Sequence, residues 1–265
     1  DVYKRQTNTW VTVTHCVVTN NLGSTTDEGA GGGIFVDSRL EIVDCQIVNN
    51  SAAAGSAFAG MGGGIFVWGG PVLLRESQIL DNVGHVSGEG LGGGLYLWDL
   101  TRAEVLTNVI QGNVASSASG VSGKGGAFYI SHSSSVYVAG NTVAYNQANS
   151  SPTGYGNGGG LFVSDSEVHV ARSRITNNSA ADYSVGGGLY IYPGRPVTLS
   201  NNLIARNAAN GGGAISTWYH ESSIAPVYLV NNTVADNGSS AMISNTQDGV
   251  RIGAAIGNAI GVAAI

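Results

Sequence analysis

Apolar and polar residues alternate with a period of two along most of the chain, in short segments that recur at nearly constant spacing. One of them is LEIVDCQIVNN at residues 40–50. A period of two places successive side chains on opposite faces of a β-strand, and no stretch shows the 3.6-residue period of an amphipathic helix. The pattern therefore predicts an all-β protein.

A second recurring phrase contains three glycines, an apolar residue, an aromatic residue and another apolar residue, first as GGGIFV at residues 31–36. Copies start at residues 31, 62, 92, 125, 158, 186 and 211, so the period is 25 to 33 residues. The copy at 125–130 reads GGAFYI, and the last, GGGAIS at 211–216, lacks the aromatic residue. Repeats of this length are typical of solenoids, in which each unit packs against its neighbours.

Each repeat offers three short strands: the glycine phrase, the segment around residues 40–42 and the segment around Ile47. Three strands per coil of about 30 residues, with no helical crossover, predict one parallel β-helix of about eight coils. Residues 1–6 do not fit the repeat and are interpreted as an extraneous leader, so the predicted domain covers 7–265. Because the repeat is already in register at Val11, we expect the chain to be a fragment of a longer one.

Each alternating segment ends in an asparagine. The eight copies are Asn21, Asn50, Asn82, Asn113, Asn146, Asn178, Asn207 and Asn237. We interpret them as a structural ladder at a tight corner, where asparagine tolerates left-handed dihedral angles and bonds to its stacked copies. The interval after each asparagine varies in length, which predicts variable loops on one face of the solenoid.

Composition narrows the function classes. The chain has 265 residues, 41 of them glycine, a net charge of −6 and only 11% charged residues. Abundant branched apolar residues exclude a disordered chain, and the mildly acidic balance without a basic run argues against nucleic acid as a partner. No apolar stretch reaches the length of a transmembrane segment.

The recurring sequence phrases resemble those of a known protein family. The phrases GGGIFV, GGGLYL and GGGLYI, followed by the alternating segment and its asparagine, are similar to right-handed parallel β-helix repeat proteins of the pectate-lyase-like superfamily. They look closest to bacterial surface-exposed repeat proteins of the polymorphic outer-membrane type. That subgroup has phenylalanine three residues before the asparagine, where this chain has only valine or isoleucine. The resemblance implies a fold and an extracellular or outer-membrane-associated location, but no catalytic motif carries over.

The aromatic position of the glycine phrase is the first candidate for ligand binding. Alternation directs it outward, so Phe66, Tyr96, Tyr129 and their equivalents form a column that either stays exposed, as a flat stripe suited to sugar rings, or is covered by the variable loops. Two positions further on, a turn carries Trp68, Trp98 and Tyr192. The candidate binding residues are Phe66, Trp68, Tyr96, Trp98, Tyr129 and Tyr192.

Candidate acid–base residues lie mainly on the variable loops. They are Asp27, Glu28, His85, Glu89, Lys124, Asp182 and Tyr183, of which the first five are the candidates for catalysis. Glycoside hydrolysis needs two carboxylates about 5 to 9.5 Å apart, which Asp27 or Glu28 and Glu89, two coils apart, could satisfy. Solvated loop charges are the alternative interpretation, so no catalytic residue is assigned firmly.

Cys16 and Cys45 occupy equivalent positions in successive coils. Their expected Cα separation of about 4.8 Å permits a disulfide, and the alternative is a pair of stacked inward thiols. No Cys/His metal spacing or calcium-binding nonapeptide is present, so we expect neither a metal nor a cofactor.

Three functions from different classes remain. The first is a non-catalytic extracellular or cell-surface scaffold for adhesion or glycan recognition, with a polysaccharide or cell-surface glycan as partner. The alternative is a polysaccharide lyase or glycoside hydrolase, and a purely structural spacer is a third reading. Charged side chains that converge in a groove would favour the enzyme, whereas a flat face with exposed Trp68 and Trp98 would favour recognition.

Overall fold

The structure is a computed structural model that describes residues 10–55, 59–192, 194–218 and 225–238, and the backbones of strands at 243–245, 252–253 and 259–261. The proposed leader at 1–6 lies outside the described residues. The described part contains strands and no helix, and every pairing between strands is parallel and in register from coil to coil. The predicted right-handed parallel β-helix is therefore confirmed.

Three long sheets build the wall of the solenoid. The first sheet follows the glycine phrases and contains Ile34–Val36, Ile65–Trp68, Leu95–Trp98, Phe128–Ser131, Leu161–Ser164, Leu189–Tyr192, Ile215–Thr217 and Ile243–Asn245. The second sheet contains Trp10–Thr14, Arg39–Val43, Val72–Arg75, Ala103–Leu106, Val136–Ala139, Val168–Ala171, Val197–Ser200, Val227–Val230 and Ile252–Gly253. The third sheet contains Val17–Thr19, Gln46–Val48, Gln78–Leu80, Val109–Gln111, Thr142–Ala144, Arg174–Thr176, Leu203–Ala205, Thr233–Ala235 and Ala259–Gly261.

Two further sheets lie where variable loops were predicted, so the expectation of three strands per coil is too low for the first five coils. The fourth sheet contains Leu22–Ser24, Ser51–Ala53, Val83–His85, Val114–Ser116 and Gln147–Asn149. The fifth sheet contains Gly29–Ala30, Gly60–Met61, Gly90–Leu91, Ser122–Lys124 and Tyr155–Asn157. Later coils keep only single-residue bridges at these places, such as Gln147 to Ser179 and Asn157 to Val185.

The fourth and fifth sheets pack against each other at backbone distance, forming a thin projection that we call the fin. A Cβ atom added to Gly90 would lie 1.6 Å from the Ala115 carbonyl oxygen, and one added to Gly123 would lie 1.7 Å from that of Ala148. Sheets that face each other through ordinary side chains are about 10 Å apart. Only glycine and alanine fit between these two, which explains the many small residues in this part of the repeat.

The core lies inside the three long sheets. In one coil Ile65, Leu74 and Ile79 point inward and are at most 1% exposed, and their equivalents continue this packing along the solenoid. In the first described coil Val11, Val13 and Val18 are only partly buried against the same cluster. Alternation along each strand therefore identified the inward positions correctly.

The asparagine ladder is confirmed, but its backbone role is not the predicted one. The left-handed residue is the one before each ladder asparagine, as at Asn49 and Asp81 with φ of 55° and 54°. The ladder side chain instead forms hydrogen bonds with the groups at the corner. Asn82 Oδ1 accepts hydrogen bonds from the backbone N–H and the side-chain amide of Asn50, both at 3.0 Å. Its Nδ2 donates to the Ile47 carbonyl at 2.9 Å. Buried backbone groups at the corner are thereby paired.

Each glycine of the phrase has its own reason to lack a side chain. Gly62 has φ of 64°, a left-handed conformation that glycine adopts without strain. A Cβ on Gly63 would lie 2.4 Å from the Val83 carbonyl, and one on Gly64 would lie 3.1 Å from the Asn82 side chain. The phrase thus turns the chain and then packs directly against the asparagine ladder.

The last glycine phrase is displaced by one residue from the predicted alignment. Leu189, Tyr190 and Ile191 pair with Ile215, Ser216 and Thr217, and the left-handed glycine is Gly212. The aromatic position of this coil is therefore Ser216 instead of Ile215, and Trp218 follows at the level of Tyr192. Beyond it, Ile260 pairs with Val234, so the third sheet continues into a further coil.

Candidate functional site

The aromatic column lies on the outer side of the first sheet. Ile65 and Val67 belong to the core, while Phe66 between them does not. The column consists of Phe35, Phe66, Tyr96, Tyr129, Phe162 and Tyr190. The outward direction predicted from alternation is correct for this strand.

Neighbouring rings of the column stack on each other along the solenoid axis. The centroid of Tyr96 lies 4.8 Å from that of Phe66, at 15°, and Phe162 lies 4.8 Å from Tyr129, at 4°. Between Tyr96 and Tyr129 the rings are perpendicular, at 87° and 4.7 Å. Stacked rings turn their faces to one another, so the expected flat stripe of outward aromatic faces is not formed.

Most of the column is buried, and only Phe35 and Tyr129 are half-buried, which favours the covered interpretation over the exposed one. Phe66, Tyr96 and Tyr190 are only 3%, 5% and 6% exposed. Glu89, which precedes the fifth-sheet strand Gly90–Leu91, is near enough to Tyr129 for its negative charge to raise the pKa of the hydroxyl. Short strands of the fourth and fifth sheets thus occupy the part of the repeat where one interpretation placed covering loops.

Trp68 and Trp98 stack on each other at the end of their first-sheet strands. Both are half-buried, their ring centroids lie 5.3 Å apart, and the planes differ by 10°. Trp98 is also parallel to Tyr96, at 6.0 Å and 4°. The next residue after Trp98 in the column is Ser131, which carries no ring. One end of this two-tryptophan stack is therefore not covered by another aromatic side chain of the column.

A charged pair lies on the opposite side of the column. Lys124 Nζ donates to Glu89 Oε1 at 2.8 Å, and both side chains are partly exposed. Lys124 ends one strand of the fifth sheet, and Glu89 directly precedes the neighbouring strand Gly90–Leu91, whose Leu91 pairs with Lys124. Because the two charges neutralise each other, the polar edge that this pair forms has a net charge of nearly zero.

Tyr129 connects this edge to a second polar group. Burial raises the pKa of the Tyr129 hydroxyl above its usual value of 10.0, the negative charge of Glu89 raises it further, a hydrogen bond with Ser131 opposes the shift, and Asp165 adds to it. The hydroxyl thus stays protonated at neutral pH and can donate a hydrogen bond. Burial likewise raises the pKa of Tyr190 to about 12.

Ser131 extends this network to the corner after the first sheet. Ser131 Oγ lies 2.6 Å from His132 Nδ1, and His132 Nε2 lies 3.9 Å from Asp165 Oδ2. Ser131 is buried, whereas His132 is exposed. Sequence reasoning missed His132 and Asp165 as site residues, although both directly follow the turn position and lie in successive coils.

The other acid–base candidates do not converge on the column. Asp27 and Glu28 are exposed at the fin tip, where the Asp27 N–H donates to Ser24 Oγ and the Thr26 hydroxyl donates to Asp27. The register places Glu28 two strands from Glu89, roughly 9.6 Å between Cα atoms. His85 is fully buried in the fourth sheet, and its Nδ1 accepts hydrogen bonds from the N–H groups of Ser87 and Gly88. His85 therefore shapes the fin tip.

Tyr192 is half-buried at the end of its first-sheet strand and pairs with Ser164. It lies three coils from Trp98, with Ser131 and Ser164 between them. The structure consequently brings together Phe66, Trp68, Tyr96, Trp98, Tyr129, Glu89 and Lys124, and leaves Tyr192 apart.

The two cysteines are free thiols. Cys45 is buried and Cys16 is exposed, so only one of them matches the predicted inward position. The Cys16 N–H donates to Cys45 Sγ at 3.4 Å, as backbone N–H groups donate to serine and asparagine side chains at this corner in later coils. Within the described ranges no group of three or more His, Cys, Asp or Glu side chains is arranged to hold a metal ion.

The chain matches no protein-family model, no curated protein and no solved structure. In the part of the chain that the structure describes, we find no helix of the length and apolarity needed to cross a membrane.

Proposed function

We propose that the protein is a non-catalytic extracellular or cell-surface scaffold that recognises a glycan through the Trp68–Trp98 stack. The observation that carries this proposal is the two-tryptophan stack itself, which is parallel, half-buried and not followed by another ring in its column. A rigid, partly exposed indole face offers a large contact area to the C–H side of a pyranose ring at small entropic cost.

A ligand rich in hydroxyl groups that extends from the stack across the aromatic column would meet polar groups on its other side. The Tyr129 hydroxyl stays protonated, and the Lys124–Glu89 pair supplies donors and acceptors without a strong net charge. Polar groups of this kind around an apolar contact fix the orientation of a bound small molecule. The resemblance to pectate-lyase-like repeat proteins of bacterial surfaces agrees with this location and ligand class.

A glycan array, followed by calorimetric titration of the best binder, tests the proposal. We expect Trp68→Ala and Trp98→Ala each to weaken binding at least tenfold, because each substitution removes half of the stack. Trp218→Ala is the matched control, since Trp218 is an exposed tryptophan of the same column several coils away. The absence of any array hit, or an equal loss in the Trp218 variant, would contradict the proposal.

The second candidate function is a polysaccharide lyase or glycoside hydrolase. The specific observation in its favour is that the carboxylates of Glu89 and Asp165 both act on the Tyr129 hydroxyl, with Lys124 bonded to Glu89. Two carboxylates near one bound sugar are the machinery of glycoside hydrolysis. Against it, the Lys124 ammonium is paired with Glu89 and Tyr129 is protonated, so neither is a ready base for β-elimination.

Assays for reducing ends and for unsaturated products on neutral and acidic polysaccharides separate the two functions. We expect no turnover by the native chain. Turnover that disappears in Glu89→Gln, a nearly isosteric change that keeps a hydrogen-bond acceptor for Lys124, would replace the scaffold proposal by the enzyme. Loss of turnover in Asp165→Asn as well would identify the second carboxylate.

A further inference from the structure

A recess opens on the fin side, between the turns of two successive coils beyond the last full strands of the fourth and fifth sheets. It has a volume of about 420 Å³ and is lined by Ala180, Ala181, Asp182, Tyr183, Ala208, Ala209 and Asn210. Ala180 and Ala181 are nearly buried, at 8% and 7% exposure, so they form a smooth apolar floor.

The recess exists because the fin becomes shorter at this point. The fourth and fifth sheets end at Gln147–Asn149 and Tyr155–Asn157, and single bridges continue them to Ser179 and Val185. In the following coil only two residues separate the bridges at Ala208 and Gly211. The N–H groups of Asn210 and Gly211 both donate to the Ser184 carbonyl, which draws this short turn inward. The shorter turn therefore leaves a step in the protein surface beside Tyr183.

Two exposed tyrosines stand at this step. Tyr183 is 75% exposed and Tyr155 is 51% exposed, and their ring centroids lie 6.4 Å apart at 48°. The strand register aligns Tyr155 with Ser122 and Glu89 of earlier coils, so polar or small side chains occupy this position elsewhere on the fin. Large aromatic side chains exposed at the rim of a recess are typical of a surface that binds a partner.

The polar groups of the recess indicate the ligand. Asp182 is the one charged side chain among the lining residues, and its backbone carbonyl accepts a hydrogen bond from Asn210 Nδ2 at 2.9 Å. A carboxylate accepts hydrogen bonds from sugar hydroxyls and repels a uronate. Among the residues that the structure describes, no lysine or arginine lines the recess to offset a negative ligand.

We propose that this recess is a second binding site, which takes a neutral pyranose ring with its apolar side on Tyr183 and its hydroxyls donating to Asp182. The volume is sufficient for one or two sugar rings. The small alanine side chains of the floor leave space for the edge of the ring. The site lies in later coils than the Trp68–Trp98 stack and does not need it.

The test uses the full chain with the Trp68→Ala substitution, so that binding at the tryptophan stack is removed. Saturation-transfer NMR and calorimetry are carried out with neutral gluco-, manno- and galacto-oligosaccharides and with an oligogalacturonate. We expect at least one neutral oligosaccharide to bind, the oligogalacturonate not to bind, and Tyr183→Ala added to this background to weaken binding at least tenfold. Asp182→Asn should reduce the preference for the neutral ligand.

Tyr228→Ala is the matched control, because Tyr228 is an exposed tyrosine of the second sheet, on another face. Absence of binding by the Trp68→Ala chain, or binding that Tyr183→Ala leaves unchanged, would overturn this inference. If the native and Trp68→Ala chains bind equally and Tyr183→Ala abolishes binding, the recess is the glycan site and the tryptophan proposal fails, so the two failures are distinguishable.

Discussion

At the scale of single residues, the ladder asparagines hold the coils together through buried hydrogen bonds. Asn113 Oδ1 accepts from the Asn82 backbone N–H at 3.0 Å, and Asn113 Nδ2 donates to the Ile79 carbonyl at 2.9 Å. Asn113→Ala would leave both backbone groups buried without these partners. Because each such group costs about 1–3 kcal/mol, we expect a destabilisation of about 3 kcal/mol.

Chemical denaturation monitored by circular dichroism measures this change. Gln111→Ala is the control, because Gln111 is exposed two residues earlier in the same coil; it should shift stability by less than about 0.5 kcal/mol. Equal midpoints for the Asn113 and Gln111 variants would show that the ladder contributes little beyond its backbone.

A histidine on the second sheet gives the fold a predictable pH dependence. Burial lowers the pKa of His169 below its usual 6.5, and the positive charge of Arg172 lowers it further. The unfolded chain therefore binds a proton near pH 6.5 that the folded chain still excludes, so this contribution to stability falls as the pH drops through 6.5. Denaturation midpoints should decrease from pH 8 to pH 5, and less steeply in His169→Gln.

The glutamine variant can still meet Ser200 Oγ, which lies 2.7 Å from His169 Nε2 in the native chain. Any loss of stability in His169→Gln at pH 8, where the native histidine is neutral in both the folded and the unfolded chain, reports the packing of the side chain alone. An identical pH slope for the two proteins would contradict the assignment.

The sequence could locate the ladder but not the residue that makes its turn. The ladder position is asparagine in every coil, whereas the left-handed position before it is filled by Asn49, Asp81, Gly112, Tyr145 and Arg206, among others. Because so many residue types adopt this backbone conformation, no single residue type recurs at this position of the repeat. Tertiary packing of the coils overrides the local preference of each residue there.

At the scale of elements, the fin was missed because its strands lack the usual strand signal. They contain two or three residues with glycine or alanine inside, so alternation between branched apolar and polar residues is absent. Alternation did predict that the aromatic residues of the first sheet point outward. It could not predict that the rings stack on one another, because stacking depends on contacts between different coils.

The close packing of the fin leads to a sharp prediction for Gly90→Ala. The new Cβ would overlap the Ala115 carbonyl oxygen, so the fourth and fifth sheets must separate, at a cost of about 1–3 kcal/mol for such overpacking. Hydrogen exchange should accelerate at residues 83–91 and 114–124 while the second sheet stays protected. Gly238→Ala is the control, since a Cβ there would meet nothing within 4 Å. Unchanged exchange in the Gly90 variant would show that the two sheets are not in contact.

At the scale of the whole molecule, each coil contacts mainly its two neighbours, so one complete coil should be removable without loss of the fold. Deleting residues 92–124 joins Leu91 to Gly125, and the register pairs Leu91 with Lys124 as equivalent positions. The ladder then continues from Asn82 to Asn146, and Phe66 meets Tyr129 in the aromatic column. We expect this shortened chain to keep its strand content and to melt cooperatively, slightly below the native temperature.

A second deletion of one coil, residues 158–185, joins Asn157 to Gly186 and serves as the matched comparison. The first deletion removes Trp98 and Lys124, whereas the second removes Tyr183 and Asp165 and leaves the tryptophan stack intact. Glycan binding at Trp68 should therefore disappear in the first shortened chain and persist in the second, while binding at Tyr183 shows the reverse. Collapse of both chains would refute coil-by-coil stability, because the same three sheets remain continuous in each.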